Sequence, residues 1–492
     1  MHMSNVTDER MMATEFRREL LPEVRFQNPN QNTESQPRAA LTTLTLLGVM
    51  YTACISGGYG LEESVSAGGP LLTIIFLCLI PIFWGIPVSL CVAELSCAIP
   101  SNAGPIMWVN VTFKPWLCFS TILWTAMLNF VDNSLYPTIL ADYCATLLGI
   151  SAFSKSLVKL GFLWFCAFIN ILGVHVVGKM SVLVMALTLI PFVLIFFIQI
   201  PEGFDWTRIR TVPQSIDWPL FIPVVAWNFS GFESAGNVIE EVTNPQKTFA
   251  RALVLMIFAA LATYIPPVLV GASAEGVRDI PFDQWGVGFW VRVAHAVGGY
   301  KMAVIMMVGG AASTFGLMAT QLTTTSRSLA GMGTLNAFPF VSSWLSRYNR
   351  NLGTPINAIV TNTVITSILS VCLTFTVLVQ IDQVLYSLRL ISILFAFLKL
   401  RLKRPTLERP YRVPGGLWGE AICGIVPIAF SVTLIVASMC ASLKIALVTV
   451  IIVWGTILVS IIWTHFFRRD GFEGSIVEIL EDADMQAYES LK

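Results

Sequence analysis

The chain has 492 residues, 55% of them apolar and only 12% charged, with a formal net charge of zero. Soluble domains carry about a quarter of their residues charged, so this composition excludes a string of ordinary soluble domains. The balanced charge offers no attraction to a polyanion, so no nucleic-acid partner is expected. The ten cysteines sit almost wholly in apolar runs, Cys54, Cys78, Cys91, Cys166 and Cys372 among them, with neither disulfide nor metal-ligand spacing. They read as small packing residues.

In chain order, residues 1–38 are polar and mixed in charge, with no apolar core before a cleavage site, so they read as a cytosolic tail without a signal peptide. About twelve segments then approach the ~20 apolar residues that cross ~30 Å of hydrocarbon. They are expected at 39–67, 68–99, 115–148, 157–174, 178–200, 218–242, 249–272, 299–333, 354–378, 380–401, 416–440 and 442–466. Residues 467–492 form a second cytosolic tail. Basic residues gather in the connections that this scheme places on the N-terminal side, above all between Lys399 and Arg412, which puts both tails in the cytosol.

Two spans carry breaks. The first contains Ser56-Gly57-Gly58-Tyr59-Gly60, and glycine is the poorest helix former after proline. The sixth contains Trp227-Asn228-Phe229-Ser230-Gly231. Main chain unwound at membrane depth must line a cavity or meet a ligand. The two breaks open two five-helix sets, 39–200 and 218–401, and matched interruptions mark a carrier's binding site. The alternative is that these glycines only allow close helix packing.

Charges inside apolar runs cost about 2.5–3.5 kcal/mol each on insertion scales. Glu62 and Glu63 follow the first break and either cap a second half-helix or face an incoming cation. Asp132 shares a helical face with Asn129, Asn133 and Tyr136 and reads either as a structural acid or as a site for an amine or a proton. Glu233 lies just past the second break. Ser313, Thr320, Gln321 and Thr324 offer packing or weak ion coordination. Glu94, Glu240 and Glu241 read as gate or structural charges, with Lys247, Arg251 or Arg327 as partners. Tyr59, Trp124, Trp227, Phe229 and Phe232 are candidate cation–π or gating surfaces.

Several blocks resemble the amino acid–polyamine–organocation superfamily, most of all the polyamine-uptake branch of plants and trypanosomatids. They are Ser56-Gly57-Gly58, Gly60-Leu61-Glu62-Glu63-Ser64, Ala67-Gly68-Gly69-Pro70-Leu71-Leu72, Ala93-Glu94-Leu95 and Val131-Asp132-Asn133-Ser134-Leu135-Tyr136-Pro137. Further blocks are Trp227-Asn228, Glu240-Glu241-Val242, Asn244-Pro245, Phe397-Leu398-Lys399-Leu400-Arg401, Arg404-Pro405 and Arg409-Pro410-Tyr411-Arg412-Val413-Pro414. The resemblance implies an all-α membrane fold of two inverted five-helix repeats, with discontinuous helices 1 and 6, plus two C-terminal helices. It implies alternating access around a site between spans 1, 3, 6 and 8, without a cofactor and driven by proton symport. It places acids of the substrate site at Glu62, Glu63, Asp132 and Glu233, of which Glu62, Asp132 and Glu233 are the proton-coupling candidates. Gly57, Gly58, Tyr59, Gly60, Trp227, Asn228 and Phe229 complete the expected substrate lining.

The sequence departs from that branch at Gly231-Phe232, where a tyrosine–tryptophan pair is usual, at Arg389, where a small residue is usual, and at Ile393, where glutamate is usual. Arg389 either reduces the cavity's affinity for cations or neutralises Asp382 or Asp132. The leading expectation is therefore proton-coupled plasma-membrane uptake of putrescine or spermidine, with an amino acid permease or exchanger of the same fold as the alternative. Light subunits of heteromeric carriers use a cysteine after span 3. Residues 149–156 contain none, so no disulfide-linked heavy chain is expected. A nutrient sensor would favour longer tails, and no nucleophile–base set, phosphate loop or metal cluster suggests an enzyme.

Overall fold

The computed structural model describes residues 43, 46, 47, 51, 55, 57–99, 105–231, 245–338, 340–349, 351–405, 407, 409–468 and 472. Both expected tails, apart from residues 467, 468 and 472, and the second half of the sixth expected span lie outside the described residues. All the regular structure among the described residues is helical.

The first break is present as main chain outside any helix. Residues 57–61 form turns, and α1 (Glu62–Ile80) begins only after them. Gly60 has φ +91°, a left-handed conformation that only glycine adopts without steric cost. Within α1, Gly69 at φ +76° and ψ 168° breaks the helix into two arms. Pro70 explains the position, because its ring pushes the preceding residue out of the helical region. This bend lies where the first expected span gives way to the second. The chain continues through a π turn, Pro81–Gly85, into α2 (Ile86–Ala98).

A short α3 (Pro105–Thr112) precedes α4 (Pro115–Leu148), whose 34 residues match the third expected span. Next come α5 (Ala152–Leu172), α6 (Val174–Gln199) and α7 (Trp218–Trp227). The Asp217 carboxylate starts α7 by accepting from the Leu220 N–H at 3.2 Å. Beyond Trp227 the chain turns at once, with Gly231 at φ +93°.

The second half holds α8 (Pro245–Ser273), α9 (Phe289–Thr334), α10 (Ile356–Cys372), α11 (Phe375–Lys403) and α12 (Gly416–Ala441). It ends in α13 (Leu443–Val450) and α14 (Thr456–Phe467), joined by a π turn. Two boundaries differ from expectation. α9 starts ten residues before 299, because a largely buried arm, Phe289 to Val297, joins it across a non-helical Gly298-Gly299 step. α11 starts at Phe375, not 380: Leu373 and Thr374 are extended, and apolar residues on both sides hide that break from a hydropathy reading.

Among the described residues, seven helical segments are long and apolar enough to cross a membrane: Glu62–Ala98, Ala152–Leu172, Arg251–Ser273, Phe289–Thr334, Phe375–Lys403, Gly416–Ala441 and Leu443–Phe467. Pro115–Leu148 has ample length but carries Asn129, Asp132, Asn133 and Asp142, which lower its apolarity. α4 and α9 are the central pair. α9 packs on α6 and α4, and α11 packs on α4 and α12, so the candidate residues on these helices are brought together.

Candidate functional site

The two breaks meet. The Trp227 ring stands over Gly60, where an added Cβ would lie 3.1 Å from Cζ3, and packs edge-on to Phe375. A side chain at Gly60 would therefore displace the tryptophan that closes α7. Tyr59 is buried against Tyr143 and Phe192. The Trp290 indole N–H donates to the Gly58 carbonyl at 2.6 Å.

Glu62 is fully buried and well partnered. Its carboxylate accepts from the Gly60 N–H at 2.7 Å, the Gly288 N–H at 3.1 Å and the Tyr143 hydroxyl. Glu63 accepts from the Val287 N–H at 3.3 Å. The pair thus ties the first break to the 286–288 loop, using backbone donors that cannot turn away.

Asp132 is in a different setting. It is half-buried and accepts from the Tyr136 hydroxyl at 2.9 Å and from the Gln321 amide at 3.1 Å. Across from it, Asp382 on α11 is buried and lies within electrostatic reach of Asp132, Tyr136 and Arg389. Asp382 Oδ2 accepts from the Gln383 amide at 3.0 Å, and that amide also donates to Ser230 Oγ at 3.1 Å. The Gly231 N–H points to the Tyr386 hydroxyl at 3.5 Å. The end of α7 is therefore joined to α11, and α11 faces Asp132.

Three buried acceptors in this region, Asp382 Oδ1, Gln383 Oε1 and Asn228 Oδ1, have no hydrogen-bond partner among the described residues. Each such atom costs about 1–3 kcal/mol unless something donates to it. A region rich in unused acceptors is suited to a guest that brings N–H donors and positive charge. Arg389 lies over the Tyr386 ring, 5.2 Å from its centroid, so its charge is also part of this neighbourhood.

The other expected residues separate. Asn133 shares the Asp132 stretch but turns to another partner set, donating to Thr325 at 2.9 Å and to Asn362 at 3.1 Å. The Asn228 side-chain amide donates to the Val224 carbonyl, and the Asn228 main-chain carbonyl accepts from the Tyr264 hydroxyl. Phe229 packs edge-on to Tyr264. Trp124 donates to Thr456 at 2.8 Å, which makes it a link between α4 and α14. Thr324 is exposed. Ser56, Phe232, Glu233, Glu240 and Glu241 lie outside the described residues.

Glu94 has partners other than those expected. It pairs with Arg401 and, at 3.1 Å, with Arg409, and it accepts from the Val413 N–H at 2.9 Å. Arg401 also pairs with Glu420. Burial lowers the pKa of Arg409, and the charge of Glu94 opposes that shift. This cluster fastens α2 to the end of α11 and the start of α12. Asp382 and Gln383, by contrast, were not among the expected site residues. Their signal in the sequence was an acid in an apolar run, masked by the nearby Arg389.

A protein-family profile described as amino acid permease matches residues 41–464. A probable polyamine transporter of Arabidopsis thaliana is 29% identical over 436 residues, covering 87% of this chain and 88% of the relative. The polyamine transporter RMV1 of the same plant is 29% identical over 419 residues, covering 83% of this chain and 82% of the relative. Among solved structures, Mhp1, a nucleobase–cation symport-1 family transporter in a closed conformation with bromovinylhydantoin bound, superposes with a TM-score of 0.53 at 14% identity. That match covers 84% of this chain and 96% of Mhp1 and shows a shared fold.

Proposed function

The chain belongs to the amino acid permease family, and from that premise we propose that it imports polyamines such as putrescine or spermidine by proton-coupled alternating access. Family membership makes it a multi-pass membrane transporter of a small molecule, not an enzyme. The names of its relatives support the substrate class.

One observation carries the reading. The half-buried Asp132, held by Tyr136 and Gln321, faces the buried Asp382, beside acceptors that have no donor among the described residues. A substrate with several ammonium groups and no carboxylate supplies N–H donors to those acceptors and positive charge to the two acids beside Arg389. Twelve spans in two inverted five-helix repeats plus two, cytosolic tails and a plasma-membrane location complete the proposal. Within it, Glu62, Asp132 and Glu233 stay the proton-coupling candidates, and Gly57 to Gly60 with Trp227 to Phe229 stay the substrate lining. Glu63, Glu94, Glu241 and Arg389 serve as gate or structural charges.

A second reading, an amino acid permease or exchanger, is favoured by one feature. Arg389 lies within reach of Asp382 and offers a counter-charge to a carboxylate.

The test is uptake of labelled putrescine into proteoliposomes under an imposed inward proton gradient, with arginine as competitor. Wild-type uptake is expected to collapse with a protonophore and to resist arginine. Asp132→Asn is expected to lower uptake by about 100-fold or more, because the charged partner of an ammonium is lost, while its elution profile stays that of the wild type. Competition by amino acids alone would reject the polyamine reading.

A further inference from the structure

A cavity of about 250 Å³ lies where the first turn of α4 meets the last turn of α14. Lys114, Trp116, Ile461, Thr464, His465 and Arg468 line it. Among the described residues that line it there is no carboxylate, but there are the cations of Lys114 and Arg468, the His465 imidazole and the Thr464 hydroxyl. We propose that this cavity binds the headgroup of an anionic phospholipid, with the acyl chains lying along α14.

Three observations support a lipid over a soluble anion. First, the cavity stands at the polar ends of two helices, with apolar surface directly below it. Leu458 and, one turn on, Ile461 and Ile462 are exposed on α14 and lead toward His465 a further turn along. A groove of that kind suits a chain-bearing ligand and gives nothing to free phosphate. Second, Trp116 is half-buried at the rim, and tryptophan is enriched where headgroups meet hydrocarbon. Third, the walls are held in place. Phe119 stacks on Trp463 and on Phe472 at 6.0 Å, and Trp463 stacks on Phe467 at 4.2 Å. The Arg468 guanidinium donates to the Asn336 carbonyl at 2.8 Å. Lys114 is the N-cap of a 34-residue helix, so the helix's positive end adds to the side-chain charge at this rim. Basic pockets at the ends of spanning helices hold anionic headgroups by this chemistry, each cation near the surface contributing about fivefold in affinity.

The site is remote from Asp132 and Asp382, and the proposal stands whatever the carrier transports. The test uses the full purified chain in detergent, titrated with dioleoylphosphatidylserine or dioleoylphosphatidylcholine and read by native mass spectrometry. Phosphatidylserine is expected to bind at least about tenfold more tightly. Lys114→Gln is expected to lose about fivefold, and Lys114→Gln with Arg468→Gln about twenty-fivefold. Lys114→Arg, which keeps the charge, is expected to bind as the wild type does and guards against a folding artefact.

Equal affinity for the two lipids, or no loss in Lys114→Gln, would overturn the proposal. Displacement of bound phosphatidylserine by millimolar inorganic phosphate would also overturn it and assign the cavity to a free anion. So would a tenfold rise in phosphatidylserine binding on deletion of 473–492, since the acidic tail would then be the occupant.

Discussion

The molecule buries acids in two regions and treats them differently. At the first break, Glu62 is closed off from solvent and accepts from two backbone N–H groups and a tyrosine hydroxyl. Between α4 and α11, Asp132 is half-buried and held by two side chains, while Asp382 Oδ1 has no hydrogen-bond partner among the described residues. Backbone donors are fixed by the fold, whereas a phenol or an amide can swing to a new partner. Satisfaction by three donors, two of them fixed main chain, keeps the Glu62 carboxylate in one place, so it serves coupling only by gaining or losing a proton and not by changing partners. Partial satisfaction by movable ones leaves a carboxylate able to exchange partners as a cation arrives and leaves. Glu94 belongs with Glu62 in this respect, clasped by Arg401, Arg409 and the Val413 N–H.

The sharpest way to break that comparison is Glu62→Ala. It leaves three donors buried without their acceptor, at about 1–3 kcal/mol each, so a loss of several kcal/mol is expected. The measurement is the fraction of protein that elutes as a single symmetric species after extraction. This variant should largely aggregate where Asp132→Asn does not. If Glu62→Ala eluted normally, its hydrogen bonds would not be holding the first break and the distinction would fall.

The fold was legible where a residue type has one physical use. Glycines at 57 and 60 announced main chain that cannot stay helical, and α4 matched its expected bounds. Hydropathy placed the separation of the ninth and tenth expected spans at 379 instead of at Leu373-Thr374, because a break costs the apolar average nothing when both flanks are apolar. The site was half legible. Asp132 stood out as an acid in an apolar run, but its contact with Gln321 spans 189 positions of sequence. Glu94 was seen as a structural charge, yet its arginines, Arg401 and Arg409, lie more than 300 positions away, where charge counting has no means to choose among basic residues. Asp382 was read, as an alternative to Asp132, only as an acid that Arg389 neutralises; the orphaned Oδ1 is a fact of packing. Helical periodicity also put Asn133 with Asp132, though adjacent residues diverge by about 100° around a helix and here serve different neighbours.

Asp382→Asn sharpens the comparison from the other side. If the free oxygen accepts from one ammonium of the substrate, replacing the acid removes a charge-assisted bond of about 1.5–3 kcal/mol. KM for putrescine should then rise by about tenfold or more, with an unchanged elution profile. A monoamine probe that engages Asp132 alone should show a much smaller change. Equal losses for both amines would place Asp382 in the scaffold beside Glu62.

The smallest effect is expected from Tyr136→Phe. Its hydroxyl donates to both oxygens of Asp132, at 2.9 and 3.1 Å, while the ring stays buried against α4's neighbours. Phenylalanine keeps the ring and removes one donor, and Gln321 still holds the carboxylate. Losing one hydrogen bond to a carboxylate, about 1.5–3 kcal/mol, frees Asp132 for the substrate and also leaves it less well oriented, two effects that oppose each other. The net change in KM should therefore stay within about fivefold. A combined Tyr136→Phe and Gln321→Leu variant should exceed the sum of the two single losses, because the second substitution removes the donor that compensates for the first. Strict additivity would mean the two side chains do not share the work of holding Asp132, and its carboxylate would be as rigidly fixed as that of Glu62.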